Sequence, residues 1–168
     1  MKTALVTSLA LLIAGVLTIY IINVFFNKKL SGLIKDKEYV NTSVSVTKGV
    51  LFLSSALILM EVNSSFQLLI KIWGTYFVDS ELFMKEVLYF SVFLGIALLY
   101  LYVAFIFTTL MFGVITNKQK AFVEIANDNI YSAVLFSLLF LSFVLLAKSG
   151  INPLLDKLIP FPATPIYR

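Results

Sequence analysis

Two short stretches place a carboxylate three residues ahead of an amide: Glu38-Tyr39-Val40-Asn41 and Glu124-Ile125-Ala126-Asn127. On a helical turn, side chains three apart are neighbours. Brought together, Glu38, Asn41, Glu124 and Asn127 would make a polar ring able to contact a cation or a partner. The same stretches suit a plainer role. Thr42 or Ser43, and Asp128 or Asn129, are residue types that cap helix N-termini, and acidic side chains are favoured there. Capping is the expected use of the pattern. Lys48 stands about one turn inside an apolar run. A lysine in a membrane is costly and often functional, but near a helix end its long stem carries the charge to the interface. Snorkelling is therefore the expected role of Lys48.

Much chemistry is ruled out. The chain has no Cys and no His. It therefore lacks thiols, disulfides, the usual general base and the commonest transition-metal ligand. No phosphate-cradling glycine loop, dinucleotide fingerprint or nucleophile elbow is present. No enzyme activity, cofactor or metal is expected. The net charge of +4 fits membrane-flanking lysines better than a nucleic-acid surface, so nucleic acid is not an expected partner.

The elements that would position these residues are written in the composition. Of 168 residues, 60% are hydrophobic and 13% charged. A soluble domain is nearer 45–50% apolar and about 25% charged. The solvent of this chain is lipid. Ala4 to Phe26 is an uncharged run of 23 residues. At about 1.5 Å per residue it crosses a hydrocarbon core of about 30 Å. Val44 to Met60, Val87 to Ile115 and Ile130 to Ala147 are the other spans. In lipid the backbone must satisfy its own polar groups, so such runs are helices. None alternates as a transmembrane β-strand would. The first run is also too long for a signal-peptide core, and Phe25-Phe26-Asn27-Lys28 is a poor cleavage site. It is expected to stay as a helix.

Between the second and third spans, an aromatic-rich segment at 61–86 carries Phe66, Trp73, Tyr76 and Phe77. It reads as an interfacial or re-entrant piece on the outer side. Glu61 marks the boundary. The tail, 148–168, holds the four prolines and is not expected to be one helix. Asn23 is the remaining strongly polar side chain in a span and suits a bond to a neighbouring helix or the headgroups. Four spans put both termini on one side. Lys28, Lys29, Lys35 and Lys37 form the densest basic cluster, with Lys118 and Lys120 in the third loop. The positive-inside tendency places these loops in the cytoplasm and both termini outside.

The chain reads as one membrane domain, 1–168, containing repeat one (4–60) and repeat two (87–147). Each has a long uncharged helix, a basic loop, a Glu-x-x-Asn and a second helix. The copies lie 86 residues apart. Two spans per copy imply parallel insertion and a pseudo-two-fold along the membrane normal. With this order of elements, and with Thr116 to Ala133 (TNKQKAFVEIANDNIYSA) as the closest stretch, the chain resembles the bacterial inner-membrane family catalogued as domain of unknown function 350. The resemblance runs from about Leu5 to Leu146. It departs where Ser, Phe and Leu replace the family's Gly and Ala, and where Ser43 stands opposite Asn129. The resemblance implies four helices, tandem repeats, the bacterial cytoplasmic membrane and no assigned catalytic residue.

Ala10, Ala14 and Thr18, with Gly15 beside them, make a small-residue stripe that admits close helix approach, within the bundle or between copies. Ser54, Ser55, Thr108, Thr109, Ser137 and Ser142 are expected to bond across helices, or to line a pore. The fold class expected is all-α: a four-helix integral membrane protein of two tandem two-helix repeats. The function expected is association, as a homo-oligomer or as a membrane anchor for a cytoplasmic or membrane protein. The alternative is a small oligomeric channel or transporter. The bilayer is the first partner.

Overall fold

The structure, a computed structural model, describes the backbone over residues 2–33, 41–76 and 79–160, and side chains over 9–33, 41–73 and 84–160. The described residues are almost entirely helical. The elements are α1 (Lys2–Leu30), α2 (Thr42–Tyr76), α3 (Asp79–Ile115), α4 (Ala121–Ala126) and α5 (Ile130–Lys157). All but the short α4 are long and apolar enough to cross a membrane. The four-helix all-α architecture expected from the apolar runs is the one observed.

The helices run past the limits that the apolar runs mark. The segment expected as an interfacial loop at 61–86 is helix on both arms: α2 continues to Tyr76 and α3 begins at Asp79. The tail does not break at once either. Residues 148–157 continue α5 through Pro153. A proline inside a helix loses one backbone bond and crowds the preceding turn. Here Ile151 and Leu155 on either side of it are both fully buried, so packing holds the helix together. It ends before Pro160, whose ring disfavours helical geometry at Ile159. The rest of the proline-rich tail lies outside the described residues.

α2 and α5 are the central pair and share the most extensive helix–helix interface. They run in the same direction, because their N-terminal ends touch each other and so do their C-terminal ends. Burial keeps one register along both. Leu51, Ile58, Leu69 and Trp73 are buried, and so are Ser137, Val144, Leu155 and Ile159, each 86 residues further on. α3 packs against both helices of the pair, whereas α1 lies mainly along α2 and touches α4. Leu12, Val16 and Tyr20 on the outer face of α1 are about two-thirds exposed, as a lipid-facing surface would be.

Phenylalanines fill the centre. The Phe105 ring lies 5.3 Å from Phe25, 5.7 Å from Phe122, 5.8 Å from Phe136 and 6.4 Å from Phe140, between centroids. One α3 side chain thus ties together α1, α4 and α5, largely in the edge-on geometry aromatic rings prefer. Lipid tails are as apolar as these side chains, so cohesion comes from close packing rather than water exclusion.

Candidate functional site

The polar side chains gather at the two ends of the α2–α5 pair. At the end shared by the α1 C-terminus and α4, the basic end, the free N–H groups at the start of each helix are met by side chains. Asn41 Oδ1 accepts from the Val44 N–H at 2.8 Å and so caps α2. Its amide nitrogen donates to the carbonyls of Ile125 and Ala126 at 3.1 and 3.0 Å. Asp128 has φ of 58°, the left-handed region that Asp tolerates better than most residues. That turn lets its carboxylate accept from the Ser43 N–H at 2.8 Å. The α2 N-terminus is therefore capped by its own Asn41 and by an acid from the second half of the chain, where the helix dipole favours negative charge.

Asn129 caps α5, accepting from the Ser132 N–H at 3.2 Å, while its amide donates to Glu124 Oε2 at 2.9 Å. The expected capping by Asn129 is thus observed, and the pairing of Glu124 with Asn127 that a polar ring would need is not formed. Asn127 ends α4, its side chain is exposed, and Glu124 engages Asn129 instead. The first Glu-x-x-Asn is represented by Asn41 alone, since Glu38 lies outside the described residues, as do Lys35 and Lys37. Asn41 is brought against α4, but through carbonyls and not through a ring of acids. Lys48 is half-buried and has no ion pair among the described residues.

A second cluster holds the other end of the pair and was not anticipated as a site. Lys148 Nζ lies 3.2 Å from Glu61 Oε1. One turn on, Ser65 is buried, with its hydroxyl 2.5 Å from Asn152 Oδ1 and 2.7 Å from Asp156 Oδ1. A hydroxyl has one proton, so Ser65 donates to one of these two oxygens at a time. Trp73 Nε1 reaches the Pro160 carbonyl at 3.5 Å. The signal in the sequence was available: Glu61 and Lys148, like Ser65 and Asn152, stand 87 residues apart, one off the repeat offset. From Asn41 to Glu61 is about 20 residues of helix, or roughly 30 Å, the thickness of the hydrocarbon core. The two polar clasps are thus separated by about the thickness of a hydrocarbon core.

Between the clasps the hydroxyls do not bridge helices. Ser55, Thr108, Thr109 and Ser142 bond to carbonyls on the preceding turn of their own helices, which satisfies them locally. Thr18, Ser43, Ser54 and Ser137 are buried with no side-chain hydrogen-bond partner. Asn23 likewise stays on its own helix, accepting from Asn27. The small-residue stripe is used inside the chain: Ala14 and Thr18 are buried, and Ala10 and Gly15 are partly so. Among the described residues no group of acids could hold a metal ion. What this arrangement does is fix two parallel helices in register.

Compared with family models, curated proteins and solved structures, the chain finds no match.

Proposed function

We propose that this chain is a multi-pass protein of the bacterial cytoplasmic membrane that acts by association, as a homo-oligomer or as the anchor of a protein partner, with no catalysis of its own. The supporting observation is the length of α2 and α3, 35 and 37 residues. At about 1.5 Å per residue α2 is about 52 Å long; even tilted by about 40° it needs only about 39 Å to cross the hydrocarbon, leaving about 13 Å beyond it. The excess is packed. Phe66 and Phe90 lie 4.8 Å apart, Trp73 and Tyr89 5.0 Å, with Ile151 and Leu155 buried on α5. A firm three-helix head on a lipid-embedded stem presents a surface to a partner. The basic end faces the cytoplasm in this reading, and the likeness to domain of unknown function 350 belongs to it.

The alternative is an oligomeric channel or transporter. It draws on Thr18, Ser54 and Ser137, buried hydroxyls without partners among the described residues. Two differently tagged copies, expressed together and extracted with their native lipid, separate the two. Association is supported when one tag captures the other, or captures a second protein in fixed ratio, and the purified assembly is silent in planar bilayers. Robust ion currents from the purified assembly overturn the proposal in favour of the channel.

A further inference from the structure

An apolar cleft of about 130 Å³ lies between α1 and α3, walled by Ile21, Ile22 and Phe25 on one side and Leu98, Leu101 and Tyr102 on the other. Ile21 and Tyr102 at its rim are exposed, so it opens sideways into the surrounding lipid. Towards the basic end it meets a second depression of about 180 Å³ bordered by Phe25, Tyr102, Phe105, Thr109, Leu110 and Lys29. Thr109 and Leu110 also border a third, which contains Lys118. Sharing wall residues in turn, the three make a furrow that runs from an apolar end to Lys29 and Lys118.

We propose that this furrow binds an anionic phospholipid, with an acyl chain between α1 and α3 and the phosphate between Lys29 and Lys118. Three observations select this occupant. The deep part, about 130 Å³, is walled by apolar side chains and suits a stretch of hydrocarbon chain, not a whole helix about 10 Å across. From Lys29 to Ile21 is eight residues, about 12 Å of helix, within the roughly 15 Å depth of one leaflet. The mouth has positive charge to spare. Lys28, Lys29, Lys118 and Lys120 make no ion pair with any described residue, while Glu124 and Asp128 at the same end are turned inward to Asn129 and Ser43. Basic pockets between transmembrane helices are a recurring way to hold anionic headgroups. The proposal rests on the chain spanning a bilayer, not on its acting by association.

The test is native mass spectrometry of the full chain in neutral detergent, with phosphatidylglycerol or phosphatidylcholine of identical acyl chains. Two lysines at the membrane surface should give the anionic lipid a preference of about thirtyfold in retained adduct. Lys29→Gln with Lys118→Gln should abolish the preference and leave weak binding of both lipids. The charge-matched control Lys71→Gln with Lys157→Gln, at the other end, should keep it. Leu98→Phe, which narrows the apolar part, should reduce adducts of both lipids. All variants are compared at matched elution volume and melting temperature. Equal retention of the two lipids by the wild type, a preference that survives loss of Lys29 and Lys118, or a dimer that takes up neither lipid would each overturn the proposal.

Discussion

Asp128 joins the two halves of the chain at a single atom, and it does so from a backbone conformation few residues adopt. Replacing it with Ala removes the acceptor for the Ser43 N–H and leaves a residue ill suited to positive φ. A lost cap costs about 0.5–2 kcal/mol and a left-handed residue about 1–2 kcal/mol. Asp128→Ala should therefore lower stability by about 2–3 kcal/mol in detergent unfolding. Asp128→Asn, which tolerates the conformation and keeps an acceptor oxygen, should lose less than about 1 kcal/mol. Equal losses would mean that the charge, not the geometry, matters. At this scale the sequence shows the cap-forming types clearly but not their assignment. Asn127, Asp128 and Asn129 are all competent cap residues. The left-handed turn at Asp128 lets Asn129 cap α5 while Asp128 reaches α2.

Element ends were the least legible feature, for a physical reason. An uninterrupted apolar run measures hydrocarbon thickness, whereas a helix continues for as long as its side chains find neighbours. Glu61 and Lys148 end the apolar runs but neutralise each other across the pair, so α2 and α5 pass through them. Charge reversal in Glu61→Lys should lower the melting temperature by setting two cations side by side; adding Lys148→Glu should restore most of the loss. A swap that fails to rescue the single variant would show that the pair is incidental. For α1 the two neighbouring small residues should behave differently. Ala14 is buried, so Ala14→Leu should destabilise the isolated subunit by about 1–3 kcal/mol, the usual cost of overpacking. A Cβ at Gly15 would meet nothing within 4 Å, so Gly15→Ala should be tolerated, or stabilise by up to about 1 kcal/mol through helix propensity. Unfolding of the monomer separates this from an effect on subunit contacts.

Across the whole molecule, composition alone foretold a multi-pass helical bundle; that α2 and α5 pair in parallel was not foretold, although their buried positions repeat at the 86-residue offset. The inequality of the halves was not legible. α3 packs on both central helices, whereas α1 lies mainly along α2 and meets α3 through Phe25 and Phe105. The bundle closes over its hydroxyls while its polar contacts between helices lie at the two ends of the α2–α5 pair. Association, and not conduction, follows if that interior is dry in the assembled protein. The chain has no native cysteine, so single cysteines report directly on water access. Ser54→Cys and Ser137→Cys, together with the exposed reference Leu158→Cys, can be treated in native membranes with a small charged thiosulfonate reagent. The account predicts rapid modification at position 158 and none at 54 or 137 from either side; rapid modification at 54 and 137 would reveal a water path along the pair and contradict it.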